Sequence, residues 1–362
     1  LSAFDGAGGS AVTYTLHSGS YLSGTFTLSG TTITGTTDAA ENTTSSVTIR
    51  ATDNADSSVF LDRTFTLKAV PDALYAFTSH TFTNLGASGR YGPTVNQNSY
   101  SAGFYGNSSF FTQVSGKQGF QLWTVPKGGT YTIKAYGASG TKTPYSSTGR
   151  PAWTQGNFTL TKGEKLVIIV GQYHNHSGYH YNAGGGGGAS WVLKEDYGGS
   201  GATPSSLYLV AGGGGGGIAS NGGGFNHSHA DAGRTQASLQ NSWSAATAAQ
   251  WGSGGGASYG VTGLGTSNYT SLPTGGERPY EGAEGGAHGH NGSYTNFGGF
   301  GGGGGSGAHS AGGGGGYVGG KAAPAYNFSG GYGGSSRNNG TNVTFGYDST
   351  VPIQGKVIIT LN

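Results

Sequence analysis

The chain has 362 residues, 77 of them glycine, and its 17 basic and 15 acidic side chains leave a formal net charge of +2. Charged residues make up 9% of the sequence, too few for the electrostatic footprint that nucleic acid or an anionic membrane surface requires. An aromatic content of 12% excludes a disordered chain, and 10 prolines without a running Gly-X-Y period exclude collagen.

Residues 1–72 contain few glycines and read as all-β. The segments Ala11–Leu16, Gly24–Leu28, Thr32–Gly35, Ser46–Ala51 and Arg63–Lys68 alternate β-branched or aromatic residues with polar ones, and Gly, Asn and Asp turns separate them. That spacing predicts an antiparallel sandwich. The succession Tyr14, Ser18–Tyr21, Thr34–Thr36, Ile49–Asp53 and Arg63–Leu67 resembles the immunoglobulin-like or cadherin-like modules of extracellular and viral surface proteins. Asp53, Asp56 and Asp62 invite a calcium reading, but calcium takes six to eight oxygens and too few carboxylates surround them, so they read as turn residues. Pro71 ends the last strand and marks the boundary.

A second domain is predicted over 75–362. Its strands are Ala76–Phe82, Phe120–Val125, Gly129–Tyr136, Lys165–Val170, Ser206–Ala211 and Gly355–Leu361, and the first and last are expected to pair in one sheet. Only Ser238–Trp251 has helical character.

The glycines come in blocks, Gly184–Gly188, Gly212–Gly217, Gly222–Gly224, Gly254–Gly256, Gly301–Gly305 and Gly312–Gly316, several of them spliced directly to apolar strands. Ordering glycine costs more backbone entropy than ordering any other residue, so fixed tracts need compensating packing. A polyproline-II-like helix, with three residues per turn and no internal hydrogen bonds, supplies it when glycine lets neighbouring chains approach. Five residues then span about 15 Å. The tracts are therefore expected to form a rigid bundle of polyglycine II helices. Trp191, Tyr208 and Tyr317, beside the blocks, are expected to wall it.

Thr83–Thr94, Gln121–Pro126, Tyr131–Gly140, Leu166–Gln172, Ala183–Val192, Gly298–Gly305 and Gly312–Gly320 together resemble the glycine-rich extracellular domain of the anaplastic lymphoma kinase receptor family, in the same order. Similar domains occur in viral and phage fibre proteins. The resemblance implies a jelly-roll-like β scaffold carrying a hexagonal bundle of polyglycine helices. It does not carry over receptor signalling, since the family's cysteines, membrane span and kinase are missing from this sequence. A looser, architectural similarity is to the tip adhesins of T-even-like phages, whose inter-tract loops bind the host.

Six of the ten histidines form His-x-His pairs, His174/His176, His227/His229 and His288/His290. Imidazoles are common ligands of zinc, copper or nickel, but without cysteine or a carboxylate-rich second layer these pairs read as solvated loop residues rather than a metal site. No phosphate-binding Gly-x-x-x-x-Gly-Lys-Ser/Thr occurs, and Glu277, Glu281 and Glu284 share one loop without a partner for acid–base work. No cofactor and no enzyme activity is expected. Ten Asn-x-Ser/Thr sequons, at Asn42, Asn107, Asn157, Asn175, Asn226, Asn268, Asn291, Asn327, Asn339 and Asn342, are candidates for N-glycosylation. The absence of cysteine and methionine removes the main targets of oxidative damage and suits a long-lived extracellular protein.

No apolar run approaches the roughly 18 residues of a membrane span. The chain starts at Leu1 without Met or a signal peptide and reads as a processed piece of a longer product. The sequence thus reads as a non-enzymatic extracellular structural protein, a subunit of a filament or surface appendage that associates with itself or neighbouring subunits. The alternative is a viral or phage fibre adhesin. In that reading, Tyr-, Trp-, His- and Asn-rich loops over about 173–183, 225–251 and 258–297 bind host-surface carbohydrate.

Overall fold

The computed structural model describes residues 11–19, 24–37, 39, 43–69, 72–142, 148–174, 183–196, 206–218, 233–236, 256–259, 274–288, 296–307, 310–323 and 330–362. The helical segment expected over Ser238–Trp251 lies outside them. Among the described residues there is no α-helix, and none is therefore long and apolar enough to cross a membrane. The chain divides into two compact units, Leu1–Asp72 and Ala73–Asn362.

The first unit holds β1 (Val12–Gly19), β2 (Gly24–Ser29), β3 (Thr32–Thr37), β4 (Thr44–Asp53) and β5 (Phe60–Lys68). A three-stranded antiparallel sheet has the order β1-β4-β5, and β2 and β3 form a separate hairpin. The hairpin closes through Gly30, whose φ of 57° suits a residue without Cβ. Alternation places Val47 and Ile49 of β4 on the covered face, where Phe65 lies opposite Val47. With Ala69 these are the unit's only fully buried apolar residues among those described. Asp53 and Asp56 hold turns, each accepting a backbone N–H two residues ahead, from Ala55 at 2.7 Å and from Ser58 at 2.9 Å. Asp62 departs from the turn reading. It lies within β5 directly opposite Arg50, whose guanidinium donates to both carboxylate oxygens at 2.7 Å. That bond holds the carboxyl below the ordinary aspartate range.

The second unit contains twelve described strands: β6 (Ser79–Phe82), β7 (Phe111–Gln113), β8 (Phe120–Thr124), β9 (Gly129–Tyr136), β10 (Ala152–Leu160), β11 (Lys165–Ile169), β12 (Ser190–Lys194), β13 (Leu207–Ala211), β14 (Gly233–Gln236), β15 (Ser335–Asn338), β16 (Thr341–Tyr347) and β17 (Lys356–Leu361). One sheet has the order β16-β10-β9-β17-β6, the other β14-β15-β13-β12-β11-β8-β7. Every pairing is antiparallel except β14 with β15. The first and last strands, β6 and β17, pair as expected, with Phe82 opposite Val357 and Ser79 opposite Thr360.

The two sheets face each other over one core, where Phe82, Ile133, Phe158 and Ile359 meet Trp123, Ile168, Val192 and Leu209. The five-stranded sheet is covered on one side only, so β9 and β10 alternate buried with part-exposed residues. The seven-stranded sheet is covered on both, and its central strands read as unbroken apolar runs such as Leu207–Ala211. Its second face supplies Val167, Ile169, Trp191, Leu193 and Val210 to another core, completed by Tyr259, Phe300 and Tyr317 from the glycine-rich segments.

Candidate functional site

The glycine tracts are continuations of the scaffold strands. Residues 184–188 run into β12, 212–217 follow β13, and 137–141 follow β9. Their backbone hydrogen bonds repeat every three residues. The N–H groups of Gly214 and Gly217 donate to the carbonyls of Ala138 and Thr141, and those of Gly213 and Gly216 to Gly315 and Gly312. The carbonyls of Gly214 and Gly217 accept from Gly187 and Gly184, and those of Gly213 and Gly216 from Gly334 and Gly331. Gly149 and Ala152 donate to Gly215 and Gly212. All ten bonds fall between 2.7 and 3.2 Å. A β-strand repeats every two residues and bonds in one plane, whereas successive residues of 212–217 bond to different neighbours around the tract.

Side chains have no room here. A Cβ on Gly214 would fall on the carbonyl oxygen of Gly149 and 3.0 Å from the Gly140 nitrogen. One on Gly303 would fall on the carbonyl oxygen of Gly186 and 2.9 Å from the nitrogen of Gly299. The obstacles are backbone atoms, which cannot rotate away.

Trp191 and Tyr317 wall the bundle as their positions suggest, and both are fully buried. The ring of Tyr259 lies stacked between them, at 5.9 Å from Trp191 and 6.1 Å from Tyr317, while the Trp191 indole donates to the carbonyl of Gly301 at 3.4 Å. Tyr208 does not belong to this wall. The ladder between β12 and β13 skips from Leu209 to Leu207, so Tyr208 is a bulged residue. Its ring turns into the inter-sheet core against Phe158, and its hydroxyl bonds Glu164. Burial, reinforced by that carboxylate, raises the phenol pKa. Tyr259 and Phe300 had gone unremarked in the sequence, although Phe300 interrupts the glycine run at 298–305, which marks a ring placed inside the bundle.

One end of the bundle gathers the points where the chain leaves and rejoins the tracts. Ala183 bridges to Ile218, Gly217 donates to Thr141, Asn296 Nδ2 donates to the carbonyl of Ala183 at 2.8 Å, and Gly307 donates to Ser310. Beside them Ser306 Oγ donates to the carbonyl of Asn296 and lies 3.4 Å from His288 Nδ1. His288 is 9% exposed, and His174 packs edge-on to Phe297 at 5.6 Å. His176, His227, His229 and His290 lie outside the described residues. Among the described residues no three His, Cys, Asp or Glu side chains cluster as metal ligands would.

The acidic loop is a structural feature. Glu284 pairs with Arg90 at 3.0 Å, Glu281 with Arg278 at 3.0 Å, and Lys117 Nζ donates to the carbonyls of Tyr280 and Glu281 at 2.7 Å. Burial, and then the charges of Glu284 and Glu281, raise the pKa of Glu277. The Glu284–Arg90 pair and the Lys117 bonds tie this loop to the scaffold, while the Glu281–Arg278 pair is internal to it.

Among the described sequons, Asn107, Asn339 and Asn342 are exposed. Asn157 lies half-buried within β10 and accepts from Thr132, while Asn339 spends its amide on the carbonyl of Leu207 at 2.8 Å. Asn42, Asn175, Asn226, Asn268, Asn291 and Asn327 lie outside the described residues.

This combination defines an all-β scaffold that supports a hydrogen-bonded glycine bundle. Over 109 residues the chain is 38% identical to the leukocyte tyrosine kinase receptor of Mus musculus, a stretch covering 29% of this chain and 12% of the receptor. No known family profile matches the sequence.

Proposed function

We propose that this is a non-enzymatic extracellular structural protein whose glycine tracts are polyglycine II helices and which serves as the subunit of a filament or surface appendage. The observation that carries the reading is the three-residue hydrogen-bond period around 212–217, the repeat of a polyproline-II-like helix surrounded by like neighbours. Such a bundle devotes a large part of the unit to rigidity and offers no side chain for chemistry. The similarity to part of a receptor favours an extracellular setting. It spans too little of that receptor to bring its kinase activity or partners with it.

Electron microscopy of native material, together with intact mass before and after N-glycosidase treatment, tests the reading. Ordered filaments or appendages of glycosylated subunits are expected. Unglycosylated protein located on virions would refute it and leave the adhesin alternative. One feature favours that second reading: the described tract ends at Thr141, Ala183, Ile218, Asn296 and Ser310 converge at one end of the bundle. Saturable binding to a glycan array, lost when residues 175–182 are replaced by a Gly/Ser linker, would support it.

A further inference from the structure

In the first unit β5 is the edge of its sheet, nine residues long, and no described strand covers its outer side. Leu61 is 62% exposed and Phe60 50%. With Val47, Ile49 and Ala69 as its only described fully buried apolar residues, the unit gains little from its own core. An open edge of this length is a template for another strand.

Charges on an edge strand usually prevent such pairing, and β5 carries Asp62, Arg63 and Lys68. Their spacing does the opposite when the partner is a second β5. In an antiparallel pair related by a two-fold axis through Phe65, Asp62 lies opposite Lys68 at both ends. Thr64 then lies opposite Thr66, Phe65 opposite Phe65, and Leu61 opposite Ala69, while Arg63 meets Leu67 and opposes no like charge. Centring on Asp62 or Arg63 would oppose like charges, and centring on Thr64 would leave Asp62 facing Thr66. The chosen register also extends a row already present. His17, Arg50 and Asp62 lie side by side across β1, β4 and β5, with 2.9 Å between His17 and Arg50. Lys68 from a second chain would flank Asp62 on its open side.

We infer that the β5 edges of two copies of this chain pair antiparallel about Phe65, with Asp62 and Lys68 as reciprocal ion pairs. The inference rests on the reading of the protein as a self-associating structural subunit and names the contact. Because the contact is isologous it closes as a dimer, and a longer assembly requires a second, different contact.

The test is sedimentation of the full chain over a concentration series, with Asp62→Lys and Lys68→Asp made separately and then mixed. Each variant alone places like charges opposite at both ends and is expected to weaken self-association by about tenfold or more. The equimolar mixture restores opposite charges at both ends and should associate like the parent, which also shows that both variants are folded. If the parent associates and Lys68→Asp, which leaves the Arg50–Asp62 pair intact, matches it, or if the mixture fails to recover with both variants folded by circular dichroism, the strand assignment is wrong while self-association stands. A parent that stays monomeric throughout overturns both.

Discussion

Replacing Gly214 with alanine puts the packing of the glycine bundle to a quantitative test. The new methyl would sit on the Gly149 carbonyl and 3.0 Å from the Gly140 nitrogen. Those two residues are themselves hydrogen-bonded at 3.2 Å, and Gly149 also donates to Gly215 at 3.2 Å. Relief therefore means separating 138–141, 148–152 and 212–217 together. Overpacking of this kind costs about 1–3 kcal/mol. Stretching the bonds of Gly214 to Ala138 and from Gly187 adds about 1 kcal/mol each. Alanine returns about 0.4–1 kcal/mol by restricting the unfolded chain, which leaves a net loss of roughly 2–5 kcal/mol. For a unit of this size that corresponds to a fall in Tm of roughly 5–15 °C. Gly128→Ala is the control. Its methyl meets only the Lys162 nitrogen at 3.8 Å and the Leu160 oxygen at 3.9 Å, so the same entropic gain should appear without the clash. Differential scanning calorimetry of parent and both variants reads the difference. If Gly214→Ala melts with Gly128→Ala, the tracts are not packed and the scaffold reading collapses.

Two further outcomes are expected. His80 stands edge-on to Phe82, Tyr100 and Phe104 at 4.7, 4.6 and 4.9 Å with its Nε2 buried and unbonded, and burial lowers its pKa to about 4. The folded state thus refuses a proton that the unfolded chain accepts near its ordinary pKa of about 6.5. Stability contributed above that value is lost as pH falls from there through about 4; in a His80→Gln variant the unfolding free energy should fall less between those limits, by about 1–2 kcal/mol after allowance for the ring's exposed part, as read by chemical denaturation at each pH. Trp191→Ala removes the first ring of the stack with Tyr259 and Tyr317 and should cost about 3–5 kcal/mol by chemical denaturation; a loss below 1 kcal/mol would mean that the bundle does not lean on this wall.

Strands whose side chains alternate, such as Gly129–Tyr136, were legible because one face of the sheet meets the core and the other does not. The run Leu207–Ala211 was legible as a strand but not as a doubly covered one, since periodicity is silent once both faces are buried. β10 was missed: Gly156 and Asn157 lower its apparent β character, although its paired neighbours β9 and β16 hold it in the sheet. Tyr208 was misplaced because a one-residue bulge changes which way a ring points, and adjacency to a glycine block carries no register. Asp62 was misread for a related reason, as its role depends on Arg50 twelve residues away across a ladder. The glycine blocks announced close packing, yet which tract bonds to which follows from their attachment to particular strands.

The pairing of β6 with β17 sets how the second unit would behave under load. Ser79 at the start of β6 lies opposite Thr360 near the end of β17, and Leu361 donates to the carbonyl of Thr78, so these two points sit side by side at one end of the sheet. Tension applied between these two points would peel β6 from β17 one rung at a time, before any force reached the glycine tracts. For such a load the glycine tracts lie off the path between the two points, stiff but carrying no tension.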